Sequence, residues 1–238
     1  MSNPFFRFKQ FTVYHDRCAM KVGTDGVLIG AWTDVTCSNE ILDVGTGTGL
    51  IALMMAQRNP AATITAIDID HHAVTQAREN VGNSPFSDRM TVEQQDFRVC
   101  APKWPARFDL IVSNPPYFKD SLPSPDARRT KARHSVSLTL QELLLSAGIC
   151  LKPEGVLALI LPYDKREELM LSAASHGFFL KRETVVYSMP GSLPKRLLTE
   201  WTLLKTKNPL RNSLTIEHAR HHYSGEFIDL VRDYYLYM

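Results

Sequence analysis

Cysteine is scarce in this chain, paired metal-binding motifs are missing, and no apolar run is long. The four cysteines, Cys18, Cys37, Cys100 and Cys150, lie far apart and make no CxxC pair, which argues against both a zinc site and a disulfide framework. Reduced thiols and no metal are the expectation. No hydrophobic stretch approaches bilayer-spanning length, and Met1 to Gln10 alternates Phe with Arg, Lys and Gln, unlike a signal peptide. A cytoplasmic protein without a membrane partner is expected. A dominant charge is lacking too: 27 basic and 25 acidic residues leave +2 at pH 7, so net charge neither demands nor excludes a polyanionic partner. Repeats and low-complexity tracts are also absent.

What is present is enough apolar material, 44% of 238 residues, to build the core of one α/β domain with small additions. From about Glu40, strand-length apolar segments alternate with segments of helical period, the pattern of a parallel sheet covered on both faces by helices. Seven strands are expected: Ile41–Val44, Thr63–Asp68, Met90–Gln95, Phe108–Ser113, Gly155–Leu161, Phe178–Ser188 and Leu197–Lys205. Helices fit at Gly49–Arg58, His71–Asn83, Thr139–Leu151 and Asp164–His176, with Gly177 as a stop signal. Only the turn-rich Met189-Pro190-Gly191-Ser192 separates the last two strands, so the sheet should end in an antiparallel hairpin. Phe6–Tyr14 reads as a short strand or hairpin and Gly225–Tyr237 as an amphipathic tail. The organisation expected is one domain over 1–238, with an N-terminal extension (1–39), a core (40–206) and a C-terminal tail (207–238) packed on it.

Asp43-Val44-Gly45-Thr46-Gly47-Thr48-Gly49-Leu50 falls where the first core strand gives way to a helix. Glycines there let backbone approach a ligand closely, and a helix start offers N–H donors to a carboxylate or phosphate. Asp68 closes the next strand, nineteen residues beyond Gly49, where a carboxylate can accept from both hydroxyls of a ribose. A nicotinamide site would use the same acid, but the glycines run GxGxG rather than GxGxxG. Asp96-Phe97 follows the third strand. An acid there can accept from the exocyclic amine of a bound adenine while the aromatic packs on its ring; the ordinary alternative is a turn residue or helix cap.

The fourth strand ends in Ser113-Asn114-Pro115-Pro116-Tyr117. Two prolines fix backbone angles, and Pro115 holds Asn114 extended. The Asn114 side-chain oxygen and the Pro115 carbonyl can then accept from the two hydrogens of a planar amino group, with Tyr117 stacked on the rest. An aryl amine or amide has a delocalised, weakly nucleophilic lone pair. Two acceptors favour pyramidal nitrogen and free that pair to attack the methyl carbon of a sulfonium. The alternative is a proline-rich stop after a strand.

DVGTGTG, AIDID, QQDF and NPPY in this order resemble the class I amino-methyltransferases, whose fold is a Rossmann-like seven-stranded sheet. FKQF, HDRCAMKVGTDG, the segment Lys21–Trp32 and the closing Tyr-Tyr-Leu-Tyr-Met extend the resemblance over nearly the whole chain, to the bacterial valine-tRNA adenine-37 N6-methyltransferase family. It implies S-adenosyl-L-methionine as cofactor, S-adenosyl-L-homocysteine as product and tRNA, not DNA, as partner. By matching position it implies that Asp43, Gly45, Gly47 and Asp68 hold the cofactor, with Asp96 and Phe97 at its adenine, Thr24 and Asp25 at its methionine end, and Asn114, Pro115, Pro116 and Tyr117 at the target base.

Arg128, Arg129, Lys131 and Arg133 follow that motif closely and are either RNA-phosphate contacts or a solvated loop; Lys195, Arg196, Lys205, Lys207 and Arg211 could extend the same surface. His218, His221 and His222 have helical spacing but no acidic ligand in their segment, which disfavours a metal. NPPY alone also fits guanine N2, DNA adenine or a glutamine amide. With only 42 residues before Asp43, neither the helical substrate domain of a glutamine methyltransferase nor the recognition domain of a DNA enzyme is expected. A non-catalytic RNA-binding module would have no use for both motifs.

Overall fold

The computed structural model describes residues 3–18, 21–115 and 138–238. A hairpin of β1 (Phe5–Arg7) and β2 (Thr12–Tyr14) precedes α1 (Thr24–Trp32). Alternation then begins: β3 (Glu40–Val44), α2 (Leu50–Arg58), β4 (Thr63–Asp68), α3 (His71–Gly82), β5 (Met90–Gln94), α4 (Phe97–Cys100), β6 (Phe108–Ser113), α5 (Leu140–Cys150), β7 (Leu151–Pro162), α6 (Arg166–Ser175). The chain closes with β8 (Phe179–Tyr187), β9 (Pro194–Thr202), β10 (Leu210–Thr215), a small hairpin of β11 (Glu217–Ala219) and β12 (His222–Tyr223), and α7 (Gly225–Val231).

The main sheet has eight strands in the order β10-β8-β9-β7-β6-β3-β4-β5. All seven expected strands are in it, and β9 alone runs antiparallel to its neighbours β7 and β8. The eighth strand, β10, pairs parallel with β8 and so carries the sheet one strand past the hairpin. It escaped the sequence pattern because it is an edge strand in which only Leu214 is buried, leaving no apolar alternation to read. No helix among the described residues is long and apolar enough to cross a membrane.

Side chains alternate across the pleat, so β3 sends Ile41 into one core and Leu42 into another. The first core lies under α1, α2, α3 and α7; the second lies under α4, α5 and α6. Helix α1 was not apparent from periodicity because every residue from Gly26 to Trp32 is buried, and a helix buried all round shows no polar face. It crosses α2 closely: a Cβ at Gly30 would sit 2.8 Å from the sulfur of Met54. The tail packs on the same face, with Tyr234 buried and its hydroxyl donating to the Met54 carbonyl at 3.1 Å.

One buried amide ties the N-terminal hairpin to this frame. Asn80 of α3 accepts from the Tyr14 N–H at 2.9 Å and donates to the carbonyls of Tyr14 at 2.9 Å and Thr48 at 2.8 Å. Asn80→Ala strands these partners, so urea denaturation should show a loss of about 2–4 kcal/mol; a loss below about 1 kcal/mol would mean that the hairpin is held by its apolar contacts alone.

Candidate active site

In a parallel sheet the carboxyl ends of the strands share one edge, and the loops leaving that edge form the crevice where ligands bind. Here β3, β4, β5 and β6 are adjacent and parallel. The glycine loop, Asp68, Asp96 and Asn114 therefore emerge side by side.

The loop after β3 takes backbone angles that side chains disfavour: φ is 73° at Gly45, 57° at Gly47 and 83° at Gly49. A Cβ at Gly45 or Gly47 would meet no atom within 4 Å. These two glycines thus border open space. Four of the loop's amides are used by the protein itself. Gly45 and Thr46 N–H both donate to the Ile67 carbonyl at 2.9 Å, Gly49 N–H donates to Thr46 O at 2.9 Å, and Gly47 N–H donates to the Asp68 carboxylate at 2.9 Å. The loop is fastened to the end of β4, and what it presents is space and acid.

Asp43 is fully buried on the face of β3 that carries Ile41. Its Oδ2 accepts from the Thr46 hydroxyl at 2.7 Å, while Oδ1 has no hydrogen-bond partner among the described residues. Burial pushes its pKa up to about 7, with Thr46 and the Ala52 amide pulling the other way and the charge of Asp68 adding to the rise. Asp68 accepts from the Asp70 N–H on Oδ1 and from Gly47 on Oδ2, each at 2.9 Å. Its pKa is also raised, first by burial and then by the charge of neighbouring Asp70, against the pull of the Asp70, Gly47 and Ile69 amides. Each carboxylate oxygen of Asp68 keeps a further lone pair for another donor.

Asp96 has two structural duties. It caps α4 by accepting from the Arg98 N–H at 3.0 Å, and it grips the Arg98 guanidinium at 2.9 Å and 2.6 Å. That guanidinium holds its carboxyl below the usual carboxylate range. Phe97 is buried in the second core with Leu42, Ile67 and Ile111.

At the end of β6 the Ser113 hydroxyl donates to the Val44 carbonyl at 2.8 Å, in a register where Val44 faces Ser113. This bond fastens the strand that delivers Asn114 to the strand that delivers the glycine loop. Asn114 is half-buried and Pro115 buried. Pro116, Tyr117, Arg128, Arg129, Lys131 and Arg133 lie outside the described residues. Thr24 is exposed at the start of α1, and Asp25 beside it takes both of its oxygens to within 2.9 Å of the Arg196 Nε.

The direction of β9 divides the remaining basic residues. Because β9 is antiparallel, Lys195 and Arg196 at its start lie on the site edge, whereas Lys205 and Lys207 after its end lie on the opposite one. Arg211, early in β10, is level through the strand register with Glu183, Thr199, Leu159 and Ser113, four strands from Asn114. Lys205 and Lys207 therefore do not extend a surface around Asn114. Sequence reasoning missed Ser113 and Asn80, whose roles rest on single side-chain hydrogen bonds that no spacing rule reveals.

A sheet of this order with a glycine loop after β3 is the architecture of a methyltransferase, and a family model described as the methyltransferase small domain matches residues 23–174. The crystal structure of a predicted O-methyltransferase, Atu636 from Agrobacterium tumefaciens, superposes with a TM-score of 0.66 over 88% of this chain and 96% of that one at 19% identity, a likeness of fold. Two proteins named tRNA1(Val) (adenine(37)-N6)-methyltransferase are similar over 100% of both chains: that of Phocaeicola vulgatus is 52% identical and that of Bacteroides thetaiotaomicron 49% identical. The chain belongs to this family of tRNA1(Val) (adenine(37)-N6)-methyltransferases.

The buried acid makes a prediction about stability. The native pKa of Asp43, about 7, lies above its ordinary value of 3.8, so the fold keeps a proton that the unfolded chain releases between these values. Its contribution to stability therefore falls as pH rises from about 4 to about 7 and is level above that. Urea denaturation should show Asp43→Asn gaining on the wild type between pH 5 and pH 8. An identical difference at both pH values would contradict the raised pKa.

Proposed function

We propose that this chain transfers a methyl group from S-adenosyl-L-methionine to N6 of adenine 37, beside the anticodon of a valine tRNA. The observation that carries the reading is the Ser113 to Val44 hydrogen bond, which sets an amine-binding Asn-Pro pair one strand away from a glycine loop with an unsatisfied acid beneath it.

The residues present fit the cofactor. Asp43 has an orphaned, fully buried oxygen, as suits a group that brings positive charge, and the space at Gly45 and Gly47 leaves room for its chain. Asp68 has lone pairs left for two ribose hydroxyls, and Thr24 and Asp25 would stand toward the methionine end. Asp96 and Phe97 would take the adenine, Asp96 once Arg98 shares or yields its carboxylate. When bound, S-adenosyl-L-methionine supplies an electrophilic methyl group on a positively charged sulfur.

Asn114 and Pro115 act on the other reactant. Their oxygens accept from the two hydrogens of the target amine and favour a pyramidal nitrogen, stabilising the transition state more than the planar ground state. The nitrogen becomes acidic once alkylated, so its proton can leave without a strong base. Pro116 stiffens the loop, Tyr117 stacks on the flipped base, and Arg128, Arg129, Lys131 and Arg133 would hold phosphates.

The test is single-turnover methyl transfer to a valine tRNA transcript with both substrates saturating. Asn114→Ala should be slower by roughly 10²- to 10³-fold while calorimetry shows cofactor affinity near that of the wild type. A transcript with guanine at position 37 should accept no methyl group. A near-normal rate for a folded Asn114→Ala protein would reduce the motif to a structural turn, and methylation of the guanine transcript would favour a guanine-N2 enzyme.

A further inference from the structure

The stretch His218–Tyr223 lies about a hundred residues from Asn114 in sequence, yet the topology brings both to one edge. Strand β8 runs in the direction of β7, because each is antiparallel to β9, and β10 is parallel to β8. The end of β10 therefore points the same way as the end of β6, and the β11–β12 hairpin leaves the sheet on the side of the active site. Four strand steps separate β10 from β6, a distance of about 19 Å at about 4.8 Å per step.

The base of this hairpin is pinned. Ile216 and Glu217 N–H donate to the carbonyls of Tyr187 and Ser188 at 2.9 Å and 3.0 Å. Ser224 N–H returns to Ile216 O at 2.8 Å, and the Ser224 hydroxyl accepts from Phe227 N–H at 3.0 Å and donates to the Thr215 carbonyl. The tip, by contrast, is all surface: residues 218–223 are exposed, and His221 sits at φ 65°, where side chains are uncommon. His218 turns Nδ1 to the Tyr223 carbonyl at 3.0 Å, and its acid neighbour Glu217 is half-buried at the base. Among the described residues no group of three or more His, Cys, Asp or Glu is placed to hold a metal.

We propose that the β11–β12 hairpin is an RNA-docking arm, with Arg220, His221 and His222 on the phosphate backbone of the helical stem next to the target loop. The proposal rests on the tRNA reading above. A flipped base occupies one site, but the duplex leading to it must run over the sheet edge, and RNA duplexes are recognised by shape and backbone rather than by groove sequence. An exposed tip bearing Arg220, on a strand four spacings or about 19 Å to the side of β6 and beyond its end, is too distant for the target nucleotide and well placed for its stem. Between the two, exposed Lys195 occupies the start of β9 on the same edge.

The test compares wild type, Arg220→Glu/His222→Ala, the milder Arg220→Ala, and Lys207→Glu on the opposite edge, using a valine tRNA transcript. The double variant should raise the KM for RNA about tenfold and lessen the slope of log KM against log salt by about one for each phosphate the arm no longer neutralises. Its kcat and its cofactor affinity should stay within about twofold of the wild type. Arg220→Ala should show a smaller change in the same direction, and Lys207→Glu none. If the wild type methylates the transcript and the arm variants keep its KM and salt slope, the arm proposal is overturned and the tRNA reading stands. A fall in kcat at unchanged KM also overturns it. A wild type that neither binds nor methylates the transcript overturns both.

Discussion

A buried carboxylate with one unsatisfied oxygen is the constraint around which this molecule is arranged. Asp43 sits fully buried at the end of β3, with the Thr46 hydroxyl on one oxygen, the Ala52 amide also favouring its charged form and the charge of Asp68 opposing its ionisation. Leaving such a group incompletely paired costs free energy, and in the function proposed above the cofactor completes it. The loop that wraps it is accordingly held from three directions: by Asp68 through Gly47, by Ser113 through Val44, and by Asn80 through Thr48. The loop is thus fixed by β4, β6 and α3 together.

The second organising fact is direction. Parallel strands gather the acids and Asn114 on one edge, and the single reversed strand, β9, sorts the late basic residues. It brings Lys195 and Arg196 to the site, where Arg196 meets Asp25 of α1, and carries the chain away to Lys205 and Lys207 before β10 returns it. Residues separated by more than a hundred positions become neighbours along an edge because of strand order.

Much of this was legible. Buried parallel strands are largely apolar runs, so β3, β4, β6 and β7 stood out, and the motifs of β3, β4 and β6 fall at their ends as a doubly wound sheet requires. The antiparallel β8–β9 pair was written in Met189-Pro190-Gly191-Ser192. Helix α1 was hidden because burial on all sides erases the polar face that periodicity needs, and β10 because an exposed edge strand erases the apolar one. The site was legible as a set of positions but not as a network. Nothing in the glycine spacing says that the loop's own amides are spent on Ile67 and Asp68, and nothing in Asp96-Phe97 says that Arg98 closes on the acid.

The central claim is the identity of the methylated atom. Total RNA from a strain lacking the gene, incubated with this protein and S-adenosyl-L-methionine labelled in its methyl group, can be digested and mapped nucleoside by nucleoside. The account predicts label in N6-methyladenosine at position 37 of valine tRNA. Label confined to a guanine, to ribosomal RNA or to protein would contradict it.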